Sequence, residues 1–392
     1  MPLKVIGDGG SNIHIHLIQS LSKNGDNIFL STYKNNYQYI AFFAGIHDIQ
    51  IIPFWTFQFF LGHYISFLDN LYKIFVLPVK AFFITTKYDL VVSATDFLPD
   101  VIYSFIIKIR NPKITWIASY FLEAPNPLAK NNPYKTNLSR YLIGILYWLM
   151  QRFSYRLIKW KADKVLVTSE PDIQRFISEK RDRSKIIVVK GGVDIAESEK
   201  YLMSEEIIPI EKRRYDACFI GRFHYQKGCL EMVDIWKIVC NQNTRAKLAM
   251  IGNGPLEKDV KEKIRRYGLE NNIDLLGFKY GQDKYEIFKQ SKIIVHPATY
   301  DSGGMAAAEG MACGLPGVSF DLPALKTYYP KGMLKTTCFD LKAFAENIIK
   351  LLEVEELYRK TKQEAIEWAA GWNWDKRTEE LLNAMNQIFV GK

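Results

Sequence analysis

Apolar residues recur along this chain in short runs, each bounded by polar or glycine-bearing stretches. "YDLVVSA" (88–94), "KITWIAS" (113–119), "DKVLVTS" (163–169) and "KIIVVKG" (185–191) have the continuous apolar character of strands buried in a parallel sheet. "NIFLST" (27–32) predicts an earlier strand. It follows "IHIHLIQSLSKNG", where Ile13, Leu17 and Leu21 share one helical face and Gly25 offers a stop. The opening "PLKVIG" predicts a clipped first strand; either the natural start lies upstream of Met1 or the strand is short. Strand, glycine turn, helix, strand is the beginning of an α/β sheet.

The polar, acid-rich passage 196–213 interrupts this rhythm and predicts a linker. The alternation then restarts. "YDACFIG", "AKLAMIG", "IDLLG" and "KIIVHP" read as strands, and "CLEMVDIWKIVCNQN" as a helix. "PLEKDVKEKIRRYG" is a second helix through Leu256, Val260, Ile264 and Tyr267, ended by Gly268. The expected fold is α/β, with two Rossmann-like doubly wound domains facing across a cleft and ligands at the carboxyl ends of the strands. The expected boundaries are 1–195 and 214–373, with a terminal helix in 374–392 crossing back to the first domain.

Composition narrows the class. A chain of 392 residues suits two domains. Hydrophobic content of 48% against 24% charge excludes general disorder. The five cysteines show no CxxC spacing and all lie in the second half, which argues for a reducing, cytoplasmic setting and against a zinc site or disulfide framework. Residues 1–200 carry 24 Lys and Arg against 16 Asp and Glu, so most of the net +10 sits in the first half. An anionic neighbour is implied, namely a membrane surface, an acidic substrate or nucleic acid; a solvated positive face is the plain alternative. No secretory signal is visible, because "GDGGSN" interrupts the first apolar residues. The segment 49–68 lacks formal charge, but Gln50, Pro53, Gln58 and His63 punctuate it, so it reads as buried or interfacial and not spanning.

The chemistry concentrates in "HPATYDSGGMAAAEGMACGLPGV" (296–318). A buried strand ends there and a helix of small residues begins. Gly303 and Gly304 sit at the turn, where unpaired N–H groups and the positive end of a helix dipole make a seat for phosphate. Glu309, a turn or more into the helix, suits the paired hydroxyls of a ribose. Asp301, before the turn, is placed to reach hydroxyls beyond the phosphates. A helix cap at Asp301 or Ser302, with an incidental Glu309, is the competing reading. In "IGRFHYQKG", Arg222 follows Gly221 at a strand end and Lys227 lies five residues on, two cations able to neutralise a diphosphate leaving group. "IGNGP" supplies a third turn through Gly252, Asn253 and Gly254. Neither it nor "GDGGSN" completes a GxGxxG fingerprint, which argues against a dinucleotide-dependent dehydrogenase.

Taken in order, "FIGRFHYQKG", "MIGNGP", "DLLGF", "VHPATYDSGGMAAAEGMACGLPGV" and "WNWDKRTEELL" resemble the donor-binding half of retaining, GT-B-fold glycosyltransferases of the group 1 (family 4) type. "GDGGSNIHIHLIQSLSKNGDNIFLST", "ADKVLVTSE" and "GGVD" resemble the acceptor half more loosely. The resemblance implies that Arg222 and Lys227 bind the donor diphosphate and Glu309 holds the ribose. It also implies that Asp301 stands at the sugar-contacting acid, one methylene shorter than the usual Glu. Gly303, Gly304 and Met305 match the loop whose amides meet phosphate and sugar, and Gly9 and Gly10 the first-domain glycine loop. Family members commonly carry a histidine after an acceptor-domain strand; "WIASYFLEAPNP" has none, leaving Glu123, Ser119 or Tyr120 as substitutes, or a different arrangement.

The implied reaction moves a sugar from a UDP- or GDP-linked donor to an acceptor hydroxyl with retention, the departing diphosphate accepting the proton. No cofactor is implied, the nucleotide-sugar being a co-substrate, and no divalent metal, since no DxD-like pair adjoins the turn. "LSRYLIGILYWLMQRFSYRLIKWKADK" (138–164) joins apolar residues to Arg152, Arg156, Lys159, Lys161 and Lys164. It reads as a helix at an anionic lipid surface, or else as a core helix with a basic edge. The lipid reading favours a lipid-linked or surface-polysaccharide glycan as acceptor, with the protein peripheral on the inner membrane face. Nucleic acid is not an expected partner. A catalytically inactive relative acting as a binding partner in glycan assembly is the alternative.

Overall fold

The computed structural model describes residues 9–23, 29–33, 50–54, 74–83, 88–129, 132, 138–205, 207–301 and 303–386. They belong to two compact units: one takes in the chain up to Gly191 and again from Arg377, the other runs from Gly192 to Lys376.

The first unit begins with α1 (Gly9–Lys23), β1 (Phe29–Tyr33) and β2 (Gln50–Phe54), the two strands pairing in parallel. Then come α2 (74–83), β3 (Leu90–Ser93), α3 (Leu98–Arg110), β4 (Thr115–Ser119) and α4 (Leu138–Lys161). β5 (Lys164–Val167), the one-turn α5 (Ile173–Phe176) and β6 (Ile186–Val188) follow. Strands β3 to β6 form a parallel sheet in chain order. Every residue of β4 is buried, which is why its sequence does not alternate. Trp116 at its centre is fully buried, and its indole N–H donates to Ser93 Oγ at 3.1 Å, so the large ring enters the core without an orphaned donor.

The second unit opens with α6 (Ala196–Met203), in the passage expected to be a linker. That expectation is corrected. The acid-rich composition marks a helix whose first turn carries Glu197 and Glu199, favourable at the positive end of its dipole. Ser198 and Tyr201 face inward, and Ser198 Oγ lies 3.1 Å from Cys313 Sγ. After it come β7 (Tyr215–Ile220), α7 (Cys229–Gln242), β8 (Leu248–Ile251), α8 (Glu257–Tyr267) and β9 (Ile273–Gly277). The chain continues through α9 (Gln282–Lys289), β10 (Ser291–His296), α10 (Met305–Ala312), β11 (Gly317–Phe320), α11 (Pro323–Tyr328) and β12 (Met333–Thr336). α12 (Leu341–Glu353), α13 (Glu355–Ala369) and α14 (Trp374–Asn386) close it, α14 passing the junction between the units.

All six strands of this unit are parallel, in the order β12-β11-β10-β7-β8-β9. The winding therefore reverses between β7 and β10, and a crevice opens outside their carboxyl ends. Trp236, Met250, Phe288, Ile294 and Phe344 are among the fully buried core. All five cysteines are reduced and lie in this unit, four of them buried. Burial pushes the thiols of Cys218, Cys229 and Cys313 up to about 12.

No described helix is long and apolar enough to cross a membrane. Of the segment 49–68, Gln50–Phe54 is strand β2 and residues 55–68 lie outside the described residues, as do the expected first strand and Ser302.

Candidate functional site

The sequence-predicted residues of the second unit gather where the winding reverses. β7 ends at Ile220, and the turn Gly221-Arg222-Phe223 leads into a short 3₁₀ turn, Tyr225–Lys227. Gly228 then adopts φ 65° and starts α7; a Cβ there would meet the carbonyl oxygen of Pro297 at 1.8 Å, so only glycine fits. Backbone bonds tie three loops together. Phe223 N donates to Asn253 O at 2.8 Å, joining the "IGNGP" turn, and Thr299 N donates to Gln226 O at 3.0 Å, joining the loop after β10.

Asp301 is buried and paired. Lys227 Nζ lies 2.5 Å from its Oδ2, Gln226 Nε2 donates to its Oδ1 at 3.1 Å, and His296 Nε2 sits 3.7 Å away, beyond hydrogen-bond reach. Burial pushes this carboxyl up, but the Lys227 ammonium beside it outweighs burial and holds the group at about 2. Burial also lowers the His296 pKa, so its ring is neutral. Asp301 thus holds Lys227 in place, where sequence reasoning placed it against a sugar. Arg222 is exposed, and its side chain makes no hydrogen bond or ion pair to another described residue, though its carbonyl accepts from His224 N at 2.7 Å. Glu309, on α10, is not open either: Lys284 Nζ of α9 lies 2.7 Å from its Oε1.

Gly303 and Gly304 stand directly before Met305, the first residue of α10, with Gly304 at the cap. A Cβ on Gly304 would meet the Tyr329 hydroxyl at 2.3 Å, and one on Gly303 the Tyr328 ring at 3.0 Å. Tight tyrosine packing therefore requires these glycines, beyond any need for close approach by a phosphate. The Tyr329 hydroxyl and His296 Nε2 are both buried without a hydrogen-bond partner among the described residues.

In the first unit, Gly9 and Gly10 are the first two residues of α1 and not a free loop. Glu123 is clamped between two guanidinium groups, Arg152 at 3.2 Å and Arg175 closer still. Tyr120 is a core side chain, its ring 5.2 Å from that of Phe176. A histidine does reach the end of β4, from another element: His14 Nε2 on α1 lies 3.2 Å from Ser119 Oγ, and its ring stacks on Phe121 at 5.6 Å. Beside it Gln151 of α4 accepts from Ala124 N at 2.7 Å and donates to Asp96, whose carboxyl burial pushes up to about 6. Sequence reasoning missed His14, Asp96, Lys284 and His296. The one available signal was "HIH" directly after the first glycine turn.

The described geometry defines the class of fold. Both units are parallel α/β sheets with helices, and the chain has the GT-B fold: it superposes on an Anabaena protein, HepE, solved in complex with UDP-glucose, at a TM-score of 0.68 and 15% identity, covering 97% of this chain and 96% of that one. Residues 204–368, within the second unit, match the family described as glycosyl transferases group 1. Relatives include an uncharacterised glycosyltransferase of Methanocaldococcus jannaschii, 26% identical over 57% of this chain and 60% of its own length. Another is the GDP-mannose:cellobiosyl-diphosphopolyprenol alpha-mannosyltransferase of Xanthomonas campestris, 25% identical over 41% of this chain and 40% of its own. The chain thus spans less than two thirds of the length of these relatives.

Proposed function

We propose that this chain is a retaining glycosyltransferase that moves a sugar from a nucleotide diphosphate-sugar to the hydroxyl of a lipid-linked or surface-polysaccharide glycan. The observation that carries the reading is the convergence at the β7/β10 reversal of Lys227, Arg222 and the glycine-led amino end of α10. A diphosphate seated there meets two cations and a helix dipole, the groups that stabilise charge as the bond from the sugar C1 to the phosphate oxygen breaks. The new bond forms between C1 and the acceptor oxygen, and the acceptor proton passes to the departing diphosphate. Arg222, exposed and uncommitted, is placed to take the diphosphate first. Lys227 follows by sharing its charge with Asp301, and Glu309 by exchanging Lys284 for ribose hydroxyls.

The Anabaena neighbour solved with UDP-glucose supports the donor class, and the Xanthomonas relative's diphosphopolyprenol acceptor supports a lipid-linked one. Thermal melting with UDP, GDP, their sugars and NAD tests the reading. Stabilisation by a nucleoside diphosphate is expected, about 2.7 kcal/mol at a hundredfold excess over Kd. No shift with any diphosphate at millimolar concentration, or a shift with NAD alone, sinks it.

The pairing of both acids with lysines also favours a second reading, an inactive family member that serves as a binding partner. Slow hydrolysis of the donor without acceptor argues against that reading; binding with no turnover under any acceptor supports it.

A further inference from the structure

At the amino-terminal edge of the β3–β6 sheet lies a groove of about 740 Å³, between the ends of α3 and α4 and the starts of β4 and β5. Its wall holds eight Lys and Arg against a single acid, Asp163. Asp163 is already matched to Lys108 at 2.7 Å and accepts from Trp116 N. Cations at helix carboxyl ends are ordinary, and Arg181 here serves that purpose while Lys108 holds the loop beyond α3. Lys108 donates to Ile114 O at 2.6 Å, and Arg181 Nη2 to Ile158 O and Ala162 O at 3.0 and 2.5 Å. Arg181 is nevertheless 4% exposed, and its Nη1 is buried with no partner among the described residues. A buried guanidinium nitrogen left unmatched in a wall of like charge is unfavourable unless an anion completes it. Burial lowers the pKa of both Arg181 and Lys164, against the opposing pull of Asp163 and Asp182 respectively.

The groove is continuous with an apolar surface. Trp160, 66% exposed, lines it and ends a stripe along α4 through Leu142, Leu149 and Phe153, each about half exposed. Their spacing of seven, four and seven puts them on one helical face. A helix of 24 residues is about 36 Å long, so the stripe is a long exposed surface with the basic groove at one end. Aromatic and aliphatic residues leading to clustered lysines fit an acyl–headgroup boundary. Protein partners seldom demand so many clustered cations beside an apolar face.

We infer that this groove binds the phosphate of an anionic phospholipid headgroup, with the α4 stripe resting on the acyl boundary beside it. The site is separate from the His14–Ser119 contact, which sits at the opposite, carboxyl edge of the same sheet, the length of β4 away. It does not depend on catalysis and would stand if the chain proved inactive.

Flotation of the full chain with phosphatidylcholine vesicles, alone or with one third phosphatidylglycerol, tests it. The wild type should float only with the anionic vesicles. Lys161→Glu/Lys180→Glu should weaken that binding at least tenfold, while Lys342→Glu/Lys360→Glu, the same charge change on the exposed surface of the second unit, should leave it within twofold. Arg181→Lys, which keeps the charge but removes the unmatched nitrogen, should weaken it severalfold with the melting curve checked in parallel. Equal binding by the groove and control variants overturns the inference. So does a wild type that stays in the soluble fraction. Tight binding of glycerol phosphate in solution, lost in Lys161→Glu/Lys180→Glu and unaccompanied by flotation, overturns the lipid as the source.

Discussion

Replacing Lys227 with methionine would leave Asp301 buried without its nearest counter-charge. In the intact protein the displacement of the Asp301 carboxyl from 3.8 to about 2 corresponds to about 2.5 kcal/mol of preference for its charged form on folding. Because this group is depressed, its contribution is complete above about 3.8 and is lost as pH falls toward about 2. Without Lys227 the largest remaining influence is burial, which raises the group. The folded protein then holds a proton that the unfolded chain has released, and stability falls as pH rises above the unfolded value of about 3.8. Removing one partner of a buried pair costs about 3–5 kcal/mol, so the loss in Lys227→Met should approach that range at pH 8 and be smaller at pH 5. Urea unfolding followed by tryptophan fluorescence at both pH values measures this, and adding Asp301→Asn should restore much of the loss. A change under about 1 kcal/mol, the same at pH 5 and pH 8, refutes the view that Asp301 and Lys227 act as one unit.

Arg222→Ala should leave the unfolding midpoint unchanged, since the side chain is exposed, yet lower turnover by roughly ten- to a thousandfold in a transfer assay. Gly304→Ala drives a methyl into Tyr329 and should destabilise by about 1–3 kcal/mol, read from the same urea titration; Tyr329→Phe should not rescue it, because ring carbons of Tyr329 also lie within 2.6 Å of the added Cβ. His224 is held down to about 4 by burial, then by Arg222 and Lys227. The folded ring stays neutral where the unfolded one charges, so stability should decline as pH falls from about 6.5 to 4, and His224→Gln should flatten that slope. Lys284→Met should tighten UDP or GDP binding severalfold by calorimetry, since Glu309 then meets the ribose hydroxyls without first giving up its ion pair with Lys284; unchanged or weakened affinity refutes that exchange.

The sheets were legible because strands buried on both faces, such as "TWIAS" and "SKIIVH", need only be apolar, and that character survives in any window of the sequence. α6 was not, since its acidic residues mark the solvent face and the dipole end while Ser198 and Tyr201 alone carry the packing. The short strands "GVSF" and "MLKT" lack a long apolar run. In the candidate site, the cations and glycines adjoining strand ends could be located by spacing. Their pairings could not: Lys284 and Glu309, or His14 and Ser119, lie far apart in the chain, and only the folded sheet brings them together. The tyrosines that demand Gly303 and Gly304 were invisible for the same reason.

Because every thiol in the chain lies from Cys218 to Cys338, and four are buried within the second unit, a sulfhydryl reagent becomes a selective clock. Its uptake reports the opening of that unit alone, so a nucleotide that tightens the β7/β10 end of the sheet should slow labelling, whatever happens to the cysteine-free remainder of the protein.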